Sequence, residues 1–145
     1  MGNKKYNNIL KFVGMASEQV TGSSYYIEWC GKKILLECGG SQTNNLEKDF
    51  TTNSQQFKFK PKQLDYVFIL HFHSDHQFLV PRLVKEGFKG KIITPIKTYD
   101  IAKIMWEDSA HINLKDSEYL SKINGKKYNP IYEKEDVDNA LDLIR

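Results

Sequence analysis

Short apolar or alternating runs fill the first half of the chain, and helical spacing enters only later. Ile9 to Met15 reads as a first strand, and Ser24-Tyr25-Tyr26-Ile27-Glu28-Trp29 as a second, rich in the aromatic and β-branched residues that suit a pleated surface. Cys30-Gly31-Lys32 is a short turn into Lys33-Ile34-Leu35-Leu36-Glu37, which predicts a hairpin, and Cys38-Gly39-Gly40 breaks that strand. Residues 41–56, rich in Asn, Thr, Ser and Gln, read as a surface loop. Phe57 and Phe59 alternate with Lys58 and Lys60 in the pattern of a half-buried strand. Pro61 to Leu64 leads into the apolar strand Tyr66-Val67-Phe68-Ile69-Leu70. Phe78 to Gly87 carries helix start and stop signals, and Lys91 to Thr94 is a short strand. Thr94-Pro95 then opens a helix whose Ile101, Ile104, Met105 and Asp108 recur at helical spacing, the apolar members facing a core. A last helix is signalled by Val137, Ala140, Leu141 and Ile144 behind the acidic turn Glu133, Glu135 and Asp136.

This order predicts an α/β fold of the α+β type, with mostly one mixed sheet. The 145 residues, 40% hydrophobic and 12% aromatic, suit one globular domain. No repeat or low-complexity tract interrupts it. Cys30 and Cys38 are isolated thiols without metal-binding or redox spacing, and no apolar run is long enough to span a bilayer. A cytoplasmic protein without a membrane partner is therefore expected. The start Met1-Gly2-Asn3-Lys4-Lys5-Tyr6 fails as a myristoylation site at Tyr6, where serine or threonine is required. A formal charge of +3 is compatible with a polyanionic substrate but falls short of a dedicated nucleic-acid-binding domain. Trp29 and Trp106 are read as core or helix-packing residues; Lys58, Lys60, Lys62, Lys85, Lys89 and Lys91 could contact the phosphates of a polyanion, but such scattered lysines are read as a solvated face.

The chemistry lies in His71-Phe72-His73-Ser74-Asp75-His76, an H-x-H-x-D-H run that follows an apolar strand. Residues two apart on an extended chain share a side, so His71 and His73 can present their rings to one ion. The chain must then turn, and the turn can aim Asp75 and His76 at a second ion roughly 3.5–4 Å away, as in two-metal hydrolases. Imidazole and carboxylate donors without thiolate suit zinc first, with manganese or iron as substitutes.

Four blocks resemble the first half of a metallo-β-lactamase fold, an αββα sandwich. They are Val20-Thr21-Gly22-Ser23-Ser24-Tyr25-Tyr26; Lys33-Ile34-Leu35-Leu36-Glu37-Cys38-Gly39; His71 to His76 with Leu79, Pro81 and Leu83; and Asp108-Ser109-Ala110-His111-Ile112. The last block, with Asn129-Pro130-Ile131-Tyr132 and residues 135–141, is similar to the RNA-processing β-CASP branch. The resemblance implies a zinc-dependent nuclease cutting RNA phosphodiester bonds. His71 and His73 would hold one ion, Asp75 and His76 the other, and Asp75 would also hydrogen-bond the attacking water. Helices would cover the outer face of the sheet.

Two departures bear on activity. Glu37 stands where the family has an aspartate that orients a ligand histidine. The family's further ligands, a later histidine, a later aspartate and a C-terminal histidine, have no counterpart here, since after His76 only His111 remains and it belongs to another block. The expectation is thus a truncated domain over 1–145, lacking the second half and any β-CASP insertion and inactive alone. An apolar sheet face left open would take a complementing chain or a second copy. Two alternatives stand beside this reading: a non-catalytic fragment or interaction module with a relic metal motif, and a hydrolase of the same fold acting on a thioester or lactam.

Overall fold

A computed structural model describes residues 7–14 and 21–145. Met1 to Tyr6, Met15 at the end of the first expected strand and Val20 of the first family block lie outside the described residues. Five strands form one mixed sheet in chain order: β1 (Ile9–Phe12), β2 (Tyr25–Trp29), β3 (Lys32–Leu36), β4 (Tyr66–Phe68) and β5 (Lys91–Ile93). The first three pair antiparallel, and β3, β4 and β5 are parallel. Parallel neighbours need crossovers. These are supplied by α1 (Leu46–Asn53), and by α2 (Ser74–Gln77) with α3 (Val80–Lys85). The long α4 (Ile96–Asn124) and the short α5 (Lys134–Leu141) complete the helical layer. At the end of the chain Ile144 makes a parallel bridge to Ile92, so the ladder extends past β5.

Strand alternation separates the two faces of the sheet. Tyr26, Leu35, Val67 and Ile92 lie side by side and are buried beneath the helices against Phe50, Leu83, Phe88, Trp106, Tyr132 and Val137. The opposite face carries two apolar ranks in register, Leu10–Ile27–Ile34–Tyr66 and Phe12–Tyr25–Leu36–Phe68–Ile93. Nothing among the described residues covers this face: Leu10, Phe12 and Trp29 are 59%, 61% and 57% exposed. Trp29 is therefore not the core residue expected, whereas Trp106 is.

Four expectations are corrected. Residues 41–56 are not all loop, because they contain α1. The Asn45 side chain caps that helix by accepting from the Lys48 N–H, Glu47 and Asp49 occupy its first turn, and Phe50 reaches the core. The polar residues that suggested a loop are thus partly cap residues. Phe57 and Phe59 alternate with exposed lysines but form no strand; their stacked rings continue onto Tyr26, with the Arg82 guanidinium over Phe57. The helix expected over Phe78 to Gly87 is two short helices, split where Leu79 gives its N–H to the Cys38 carbonyl and Pro81 opens α3. On α4 the buried stripe is Thr98, Ala102, Trp106, Ala110, Asn113, Ser117 and Leu120, while Ile104 is 69% exposed. Small residues in that stripe let the helix lie close to its neighbours, and one tryptophan fills the space between. The helix stops at Gly125, which is left-handed at φ 62°.

Candidate metal centre

The histidine loop leaves the C-terminal end of β4, in the middle of the sheet, and runs into α2. A second segment, Cys38-Gly39-Gly40, grips it through backbone alone. The Cys38 N–H donates to the His76 carbonyl at 2.7 Å, the Gly40 N–H to Ser74 at 3.2 Å, and the Ser23 N–H to Asp75 at 2.8 Å. The contact is so close that a Cβ on Gly39 would sit 1.6 Å from the Asp75 carbonyl oxygen. Sequence reading made Gly39 only a strand break. Its real task is to let two backbones touch.

Gln77 ties the loop down from the other side and was also missed. This side chain is buried and donates to the Phe72 carbonyl at 3.0 Å, while its own amide oxygen accepts from the Trp106 indole of α4. The backbone between His71 and His73 is thereby anchored to the longest helix.

Within this frame the three imidazoles converge. His71 packs edge-to-face on His73 with ring centroids 4.2 Å apart, and on His76 at 4.8 Å. His76 Nε2 lies 3.6 Å from the Asp75 carboxylate. Its Nδ1 faces Glu37 Oε2 at 3.9 Å, and both of these atoms are buried without a hydrogen-bond partner. Glu37 is held by its other oxygen, which accepts the Leu70 N–H at 3.1 Å, and it adopts a left-handed backbone at φ 60°. A non-glycine residue there carries strain of the kind that collects at functional sites. Burial, reinforced by the nearby Asp75 charge, pushes the Glu37 carboxyl up to about 7 against the Leu70 hydrogen bond. Burial and the neighbouring His71 and His73 lower His76, with Asp75 opposing. His111 is exposed on α4.

Three imidazoles and a carboxylate within one short loop are a donor set suited to zinc or a similar divalent ion. A ligating imidazole commonly turns its second nitrogen toward a carboxylate, the position that Glu37 occupies behind His76. The fit lies in donor chemistry and in the orphaned pair Glu37–His76. Among the described residues, no group of three or more His, Cys, Asp or Glu is already arranged to hold an ion. Beside the loop runs a groove of about 470 Å³ between α1 and α4, reaching Ser74 and Phe78. Asp108, Ser109 and Ile112 of the fourth sequence block line it, with Asp49 and Asp116, among walls that are mostly apolar: Leu46, Phe50, Phe78, Met105 and Ile131.

The description "Metallo-beta-lactamase superfamily" matches residues 18–143. The chain belongs to this superfamily. Its relatives lie in the β-CASP branch that the fourth block suggested. The chain is 31% identical over 130 residues to ribonuclease TTHA0252 of Thermus thermophilus, covering 90% of this chain and 26% of the ribonuclease. It is 25% identical to the cleavage and polyadenylation specificity factor subunit 3-I of Arabidopsis thaliana, covering 89% of this chain and 17% of the relative. Against the transcription termination factor FttA of Methanosarcina mazei the identity is 27%, over 74% of this chain and 17% of that factor. The chain thus spans about a quarter or less of these relatives. Among solved structures, the short form of human tRNase Z aligns at 18% identity with a TM-score of 0.41, covering 86% of this chain and 42% of tRNase Z. Membership of the superfamily implies metal binding, commonly of zinc.

Proposed function

We propose that this chain is the metal-binding half of a zinc-dependent RNA phosphodiesterase that works in the cytoplasm and needs a second half for activity. The observation that carries the reading is the packing of His71, His73 and His76 at the end of β4 with Glu37 behind His76. His71, His73, Asp75 and His76 would hold the metal. A divalent ion bound there supplies an activated water at neutral pH and offsets charge on the phosphoryl oxygens. Glu37 would then take the His76 Nδ1 proton as a hydrogen bond and fix the ring, its own position set by the Leu70 N–H. Asp75, 25% exposed at its side chain, would orient the attacking water. Manganese or iron would serve the same donors less well.

The open sheet face supports the need for a partner. Two apolar ranks in water forfeit about 25 cal/mol per Å² of apolar area, so a covering sheet would be strongly held. Such a sheet could arrive with the remaining ligands, on a complementing segment or, less completely, a second copy. The test is the zinc content and oligomeric state of the purified chain and of a His71→Ala/His73→Ala variant. Zinc retained by the first and lost from the second supports the reading. Equal, negligible zinc in both reduces the motif to a relic and removes the enzyme reading.

A further inference from the structure

The end of the sheet farthest from the histidine loop gathers positive charge that is scattered in sequence. β3, β4 and β5 are parallel, so their N-terminal ends share one edge, opposite the end from which the loop departs. Lys32 and Lys33 begin β3, Lys91 begins β5, Lys89 precedes it, and Lys62 lies in a 3₁₀ turn, Pro61–Gln63, before β4. Backbone hydrogen bonds lock the strand ends together: the Asp65 N–H donates to Lys33 and the Lys91 N–H to Asp65, at 2.8 and 3.0 Å.

Asp65 is the acid at the centre of this edge, and its charge is already engaged. It accepts from Lys32 Nζ at 3.0 Å and from the Lys33 N–H at 2.9 Å, and these bonds hold its carboxyl below the usual range. Lys62, Lys89 and Lys91 make no salt bridge among the described residues and are exposed. They line a shallow depression of about 340 Å³ together with Leu64, Asp65, Tyr66 and Gly90.

Two glycines shape the depression. A Cβ on Gly90 would lie 2.3 Å from the Asp65 carbonyl oxygen, so only glycine lets Lys89 and Lys91 flank that strand end so closely. A Cβ on Gly87 would lie 2.7 Å from Lys62 Cε, so the bare backbone there leaves room for the lysine stem.

We infer that this edge, formed by Lys62, Lys89 and Lys91, binds the phosphate backbone of single-stranded RNA, remote from the metal centre. A positively charged groove that tracks the phosphates is a usual means of holding single strands. The inference takes RNA as the polyanion from the function proposed above, but it concerns binding and not cleavage.

The test is fluorescence anisotropy of a short labelled oligouridylate with the full chain, with Lys62→Gln/Lys89→Gln/Lys91→Gln, and with Lys97→Gln/Lys103→Gln/Lys115→Gln. The second variant removes equal charge from the exposed side of α4. The edge variant should bind about tenfold more weakly at low salt, and the slope of log K against log salt should fall by about 2, roughly 0.7 per lost contact. The α4 variant should bind as the unaltered chain does. Equal losses in both variants, or no loss in the edge variant, would overturn the assignment. So would poly-aspartate competing as well as RNA at equal charge, which would mark an acidic protein as partner. RNA binding that survives the edge variant but is lost in His71→Ala/His73→Ala would sink this inference alone and leave the metal-centre reading standing.

Discussion

Replacing Gly39 by alanine tests the claim that the histidine loop is placed by backbone contact and not by its own side chains. The new Cβ would lie 1.6 Å from the Asp75 carbonyl oxygen, 2.2 Å from its carbon and 2.9 Å from the His76 nitrogen. All three are backbone atoms, so no side chain can swing aside, and α2 must retreat by about 1.8 Å to reach ordinary contact. That retreat breaks the hydrogen bonds from Cys38 to His76, from Ser23 to Asp75 and from Gly40 to Ser74. At about 1 kcal/mol each, with about 1–2 kcal/mol for overpacking, the cost is about 4–5 kcal/mol, a large share of a domain's roughly 5–15. Urea denaturation of the metal-free chain measures it. Gly125→Ala is the control, because its Cβ meets nothing within 4 Å and only the left-handed backbone at φ 62° costs about 1–2 kcal/mol. Zinc affinity, by competition with a chromophoric chelator, should also fall about 10–100-fold in Gly39→Ala and stay unchanged in Gly125→Ala. If Gly39→Ala costs no more than Gly125→Ala and binds zinc as tightly, the backbone clamp does not set the loop.

Glu37→Gln should flatten part of the pH dependence of the metal-free chain. A carboxyl raised from 4.5 to about 7 on folding contributes stability that is complete below pH 4.5 and lost as the pH rises through 7, about 3 kcal/mol in all. His76 is lowered and acts oppositely, losing stability as the pH falls through the imidazole range, so the comparison is the difference between the two proteins across pH 4.5–8. A difference independent of pH would show that Glu37 does not titrate there. Trp106→Phe keeps most of the core volume but removes the donor to Gln77, leaving a buried amide oxygen unpaired at about 1–3 kcal/mol. Joined with Gln77→Leu the two losses should be less than additive in thermal denaturation; strict additivity would mean that they share no interaction.

The strands were legible because each announces itself over a few residues. Alternation and β-branched or aromatic content place β2, β3, β4 and β5 to within a residue or two, and the Glu133–Asp136 capping box marks the start of α5. The misreadings share a cause. Residues 41–56 are polar at most positions, yet Phe50 and Asn53 are drawn into the core, where Asn53 exchanges two hydrogen bonds with the Ser41 backbone. On α4, the aliphatic residues suggested the buried face, but the face is chosen by which stripe can approach the neighbouring elements, α5 among them, and Ala102, Ala110 and Ser117 can.

The sequence by itself determined the candidate donor set and the succession of strands along the chain. Spacing of two along a strand end, and a carboxylate in the following turn, are local facts that no later folding alters. It also separated the sheet into a face for helices and an equally apolar face that they leave open. Only the tertiary structure decided what surrounds the histidines. Glu37 reaches His76, Gly39 meets Asp75, and Gln77 links Phe72 to Trp106 across separations of 29 to 39 residues in the longest cases, where no periodicity carries information. The same holds for Lys62, Lys89 and Lys91, scattered in sequence and brought to one edge because three parallel strands begin there. Local patterns record which way a side chain faces. What it faces depends on close packing of all the elements at once.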